Sequence, residues 1–115
     1  MIKFHDDPED GLGVVEPGTE RLTAANATTF KDEVFELISA GTSRLVIDLG
    51  KVEFIDSSGI GALVGLLKRI GNRGEIVVCG LSDTVRQMFK ITRMDRVFAS
   101  YDDRAAALRA IKENV

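Results

Sequence analysis

The chain has 115 residues, 44% of them hydrophobic, which suits one packed domain over residues 1–115. Fifteen Lys and Arg stand against eighteen Asp and Glu, a formal net charge of -3 spread along the chain, so neither nucleic acid nor an anionic membrane surface is favoured as a partner. A single cysteine, Cys79, excludes an internal disulfide, and no apolar stretch approaches the roughly 20 residues of a membrane span.

The opening Met-Ile-Lys-Phe-His-Asp-Asp lacks the basic start and apolar run of a signal peptide, so a reducing cytoplasm is expected. Ile2 to His5 and Leu12 to Glu16 are short candidate strands on either side of the turn-forming run from Asp6 to Gly11. Phe30, Val34, Leu37 and Ile38 then recur at helical spacing. Thr23 or Asn26 can cap that helix, and Gly41 sits where a C-terminal cap belongs. Arg44 to Leu49 is short, β-branched and followed by Gly50, the pattern of a buried central strand.

Helical periodicity resumes at Ser57, with Ile60, Leu63, Val64, Leu67 and Ile70 on one face, and ends in Gly71-Asn72-Arg73-Gly74. Glu75 to Gly80 reads as another buried strand. Ser82 can cap a helix carrying Val85, Met88 and Phe89, and Val97-Phe98 fits a short edge strand. A last helix is expected from about Asp102 to Asn114, capped by Ser100 or Asp102, with Ala107, Leu108 and Ile111 inward. Alternating strands and helices imply an α/β sheet with right-handed crossovers.

The segment Phe54-Ile55-Asp56-Ser57-Ser58-Gly59-Ile60-Gly61 places two hydroxyls and a carboxylate where an apolar strand meets an apolar-striped helix. The first N–H groups of a helix lack intrahelical partners and carry partial positive charge, so a phosphate on Ser57 or Ser58 could be held there. The same three residues are also good caps, so a purely structural role stays open on this ground. The face opposite the apolar stripe carries Ser58, Gly61, Ala62 and Gly65, followed by Lys68 and Arg69. Each helical glycine costs about 0.8–1 kcal/mol relative to alanine, so two on one surface suggest close approach by a docked partner or by a neighbouring helix.

From Arg44 to Leu108 the chain resembles the STAS family of anti-anti-sigma factors. Asp56-Ser57-Ser58-Gly59 matches that family's Asp-Ser-Ser/Thr-Gly motif, and the Val-Ile-Asp-Leu strand, the Ile-Val-Val-Cys strand and the Val-Arg-Gln-Met-Phe helix follow in the family's order. The resemblance implies an α/β fold with a four- to five-stranded mixed sheet and about four helices. It also implies a non-enzymatic, cofactor-free, metal-free interaction switch. The unmodified domain would bind an anti-sigma factor that is also a serine kinase, phosphorylation of Ser57 (with Ser58 the alternative) would release it, and a metal-dependent serine/threonine phosphatase would reset it. Thr23, Asp56, Ser57, Ser58, Gly59, Gly61, Ala62 and Gly65 would form the partner surface, with Gly59 letting the kinase come close. Two positions depart from the pattern: Leu22-Thr23 stands where Leu-Asp is usual, and Arg93 where glycine often follows the third helix.

Three other readings compete. The same domain could serve a stressosome-like or transporter-associated assembly. A two-component receiver phosphorylated on Asp56, with Asp6 and Asp7 as magnesium ligands, would need a lysine after the last strand, which Val97 to Ser100 does not offer. A serine hydrolase would need a base, and His5, the sole histidine, has no Gly-x-Ser-x-Gly turn to serve. His5 is expected on the surface, Cys79 as a small buried residue, and Lys68, Arg69 and Arg73 on a solvated helix end.

Overall fold

A computed structural model describes residues 1–6 and 11–113. The strands are β1 (Lys3–Asp6), β2 (Leu12–Glu16), β3 (Arg21–Leu22), β4 (Arg44–Asp48), β5 (Phe54–Ile55), β6 (Glu75–Cys79) and β7 (Ser100–Tyr101). The helices are α1 (Ala27–Ser39), α2 (Ser57–Ile70), α3 (Asp83–Ile91) and α4 (Arg104–Glu113), with 3-10 turns at Gly71–Arg73 and Met94–Arg96. The expected turn over 7–10 and the helix end at Asn114 lie outside the described residues.

The main sheet has the order β1-β2-β4-β6-β7, with β1 antiparallel to β2 and every other pair parallel. It is a mixed five-stranded sheet with four helices, as the resemblance implied. Side chains alternate across each strand, so the sheet buries two sets. Val15, Leu45, Ile47, Ile76 and Val78 join residues of α1, α2 and α3 in the larger core. Leu12, Val14, Val46, Val77 and Cys79 form a smaller core covered by Ala107 and Ile111 of α4. This double burial is why β4 and β6 read as continuous apolar runs.

Several sequence expectations are corrected. The edge strand is Ser100–Tyr101, not Val97-Phe98: Phe98 is buried with its ring centroid 6.3 Å from that of Phe89, whereas Val97 is exposed. Neither Ser100 nor Asp102 caps α4, because Asp103 Oδ1 accepts from Ala106 N–H at 2.8 Å. Ser100 is instead part of β7. On α2, Val64 and Leu67 are only half-buried, while Ala62 and Leu66 are buried. The helix packs on the sheet and on α1 at once, which turns its buried arc away from the stripe the spacing suggested.

At α1, Asn26 holds the N-cap position, but its side chain turns backward. Its Oδ1 accepts from Thr23 N–H at 3.0 Å and its Nδ2 donates to the Arg21 carbonyl at 2.9 Å. Gly41 follows α1 at φ 119°, a conformation few other residues adopt, and so ends it as expected. A short parallel pair went unforeseen: Arg21 and Leu22 of β3 lie against Phe54 and Ile55 of β5, outside the main sheet. That pair carries the loop after β3 to the start of α2.

Candidate functional site at the start of α2

Asp56 is the first link between these parts. It leaves β5 in an extended conformation and caps α2, its Oδ1 accepting from Gly59 N–H at 3.0 Å. Its Oδ2 accepts from Ala24 N–H at 3.2 Å, and its own N–H donates to the Leu22 carbonyl at 3.2 Å. One carboxylate therefore closes the helix and clasps the loop after β3. The Gly59 N–H bond is the chief cause that holds the Asp56 carboxyl below its usual range, against a smaller opposing effect of desolvation, and Ala24 N–H adds to it. With both oxygens engaged by backbone N–H groups, Asp56 has the geometry of a cap and not that of an exposed acyl-phosphate acceptor.

Because the aspartate takes the cap, Ser57 and Ser58 become the first two helical residues and both are exposed. Among the described residues neither hydroxyl makes a hydrogen bond. They sit beside N–H groups of the first turn, where negative charge is favoured.

The small face of α2 divides in two. A Cβ on Gly61 would meet nothing within 4 Å, so this position is open. A Cβ on Gly65 would lie 3.1 Å from Lys31 Cδ, and Ala62 is buried, so this half of the surface meets α1. Gly59 is explained within the fold as well: a Cβ there would lie 2.5 Å from the Leu22 carbonyl oxygen and 2.6 Å from Ile55 Cγ1. Its small size seats β3 against α2. Ser58 and Gly61 border a groove of about 210 Å³ shared with Ala24, Thr28 and Lys31. Thr28 and Lys31 carry no motif in the sequence, and only the α1–α2 contact brings them here.

Thr23 is half-buried, and its Oγ1 accepts from Ala25 N–H at 3.3 Å. The threonine keeps a turn-forming bond that an aspartate could make, without the negative charge. Arg93 adopts φ 63°, the left-handed conformation that explains why glycine suits that place.

Other conspicuous side chains are structural. Cys79 is buried, and burial, helped by Asp48, pushes its thiol up to about 12. His5 is exposed, with Nε2 3.2 Å from Glu16 Oε2. Lys68, Arg69 and Arg73 are exposed, but Arg69 also donates to Ser39 Oγ at 3.1 Å and lies over the Phe35 ring, bridging α2 to α1. Arg104, unremarked in the sequence, joins Asp48 at 2.9 Å and Glu16 at 3.1 Å and ties α4 to β4 and β2. Among the described residues no group of three or more His, Cys, Asp or Glu side chains could hold a metal ion, and no helix is long and apolar enough to cross a membrane.

A family model described as the STAS domain matches residues 8–107. A Bordetella bronchiseptica protein whose name describes it as the anti-sigma factor antagonist BtrV is 32% identical over 92 residues, covering 79% of each chain. The crystal structure of a Thermotoga maritima protein titled as an anti-sigma factor antagonist superposes with a TM-score of 0.86, covering 96% of this chain and 94% of that one. At 24% identity it shows the shared fold. An anti-sigma factor antagonist from Mycobacterium paratuberculosis superposes with a TM-score of 0.82 at 25% identity, covering 97% of this chain and 95% of that one.

Proposed function

Because the chain belongs to the STAS domain family, we propose that it is an anti-sigma factor antagonist whose partner binding is switched by phosphorylation of Ser57. In this reading the unmodified protein binds an anti-sigma factor that is also a serine kinase, and so frees a sigma factor. Phosphorylation releases the complex, and a serine/threonine phosphatase restores it. The protein contributes a surface and an acceptor hydroxyl, with no chemistry of its own.

The observation that carries this reading is the position of Ser57: an exposed, unbonded hydroxyl one residue past a capping carboxylate, on the rim of an open helix start. Ser58 and Gly61 leave room for a partner beside it, and the Thr23–Ala24 loop is held against the same end by Asp56.

The switch follows from electrostatics. A phosphate adds about -1.5 to -2 charges at neutral pH. At roughly 6 Å from a partner carboxylate, with effective ε near 20, repulsion is at most about 5.5 kcal/mol before screening. Since about 1.4 kcal/mol is tenfold in affinity, half of that bound dissolves a moderate complex. The fold tolerates the same phosphate, because the positive end of the α2 dipole favours an anion there against the opposing charge of the neighbouring Asp56 carboxylate.

The test uses a purified serine-kinase anti-sigma factor from the same genome. The protein is incubated with it and ATP, the modified residue is mapped by mass spectrometry, and affinity is measured before and after modification. Ser57→Ala should remove all labelling while still binding, and Ser58→Ala should still be labelled. Labelling confined to Ser58, or equal affinity of the modified and unmodified forms, refutes the switch. A permease or a large assembly as the sole partner would place the domain in the other class of STAS module.

A further inference from the structure

A second groove of about 400 Å³ opens between β5 and α3, lined by Phe54, Ile55, Asp83, Gln87, Met88 and Ile91. Ile91 is 70% exposed, the most exposed large hydrophobic side chain among the described residues, and it belongs to neither core cluster. Met88 beside it is half-buried, and Phe54 is held from above by Arg21, whose Cζ lies 4.4 Å from the ring centroid. The groove is thus a mainly apolar surface with the Arg21 guanidinium on its Phe54 edge and one acidic lining residue, Asp83, which is exposed and makes no ion pair among the described residues.

We infer that this groove is a second contact for the anti-sigma factor, receiving an apolar side chain next to a Lys or Arg that pairs with Asp83; this rests on the antagonist reading above. Three features carry it. Phe54 and Ile55 run directly into Asp56 and Ser57, so the groove wall and the acceptor hydroxyl lie within three residues, at most about 10 Å of extended chain. A partner seated over Ser57 therefore reaches the groove without leaving its footprint. The exposed Ile91 supplies apolar area contiguous with Met88 and Phe54, the composition of an interface anchor pocket and not of a scattered surface residue. Asp83, favoured by its place in the first turn of α3 but without an ion-pair partner among the described residues, sets the sign of the partner's charge. A second copy of this chain fits less well, since an isologous pair would bring two unpaired Asp83 carboxylates into one small interface.

The contact adds affinity that phosphorylation of Ser57 does not touch directly. It explains how a kinase could hold this substrate through docking distinct from the reacting hydroxyl. The kinase would then lose its grip only when the charge arrives at the α2 start.

The experiment measures binding of the purified anti-sigma factor to wild-type protein, Ile91→Lys and Asp83→Asn by calorimetry, with phosphorylation kinetics alongside. A cation in the last turn of α3 is favoured by the helix dipole, so Ile91→Lys should melt at or above the wild-type temperature. It should bind about tenfold or more weakly and raise KM for phosphorylation while kcat stays unchanged. Asp83→Asn should lose about threefold in low salt and nothing in roughly 0.5 M salt, where the ion pair is screened. Wild-type binding matched within twofold by Ile91→Lys overturns the inference while leaving the antagonist reading intact. A wild-type dimer that Ile91→Lys turns into a monomer, with anti-sigma affinity unaltered, overturns it in favour of a second copy. If wild-type protein itself fails to bind, the antagonist reading falls and this contact with it.

Discussion

The starts of α2 and α3 contain the same residue types in opposite order. At α3 the chain reads Ser82-Asp83, and the serine is the cap: its Oγ accepts from Val85 N–H at 3.3 Å, which engages the hydroxyl and leaves it half-buried. At α2 it reads Asp56-Ser57, and the aspartate caps while the serine moves one residue into the helix with a free, exposed hydroxyl. A cap must accept hydrogen bonds, and either side chain can do so. Which comes first decides whether the hydroxyl is structural or available for modification.

Exchanging these roles has the largest expected effect. Ser57→Ala should abolish phosphorylation yet change stability by less than about 0.5 kcal/mol, the range for surface substitutions without a partner. Ser82→Ala should leave phosphorylation intact but cost about 1 kcal/mol through the lost cap. A kinase assay paired with urea denaturation separates the two, and loss of labelling in Ser82→Ala would remove the distinction.

The two nearby glycines sharpen the same contrast between packing and access. Gly59→Ala should destabilise by about 1–3 kcal/mol, because its methyl group would press on the Leu22 carbonyl and Ile55. Gly61→Ala enters open space on an exposed helical position and should stabilise by about 0.8–1 kcal/mol. Chemical denaturation of both variants checks the opposite signs, and equal signs would mean the two sites share one environment.

A smaller effect concerns pH. The Asp56 carboxyl is held below its usual range in the folded protein, so its contribution is present in full above the ordinary aspartate pKa of about 3.9. That contribution is lost as pH falls through and below this value. Asp56→Asn should therefore flatten the acid limb of the stability curve between about pH 5 and pH 2. An acid limb unchanged in the variant would show that other carboxylates, such as Glu16 beside Arg104, dominate it. The smallest change is expected at Arg93, where glycine should relieve left-handed strain worth up to about 1 kcal/mol, seen as a small rise in Tm.

Much of this molecule is written locally. Leu12–Glu16 appears with the bounds read from its sequence, and β4 and β6 each end one residue short of theirs, because buried β-branched runs between turn residues have few alternatives. Ser82 and Gly41 could be read in advance because caps follow residue type. The β3–β5 pair could not, since two-residue strands show no periodicity and form only when distant segments meet. Phe98 misled for the same kind of reason: its hydrophobicity signalled burial, but a side chain can enter the core from a turn as readily as from a strand.

At the site, the sequence by itself determined that Asp56, Ser57 and Ser58 stand at a helix start, since apolar spacing and capping chemistry are properties of consecutive residues. Only the tertiary structure decided which of the small residues there are taken up by packing and which are left open. Gly59 is needed by Leu22, Ala62 and Gly65 meet α1, and Gly61 stays open. Close approach depends on which element lies opposite, and that neighbour comes from elsewhere in the chain.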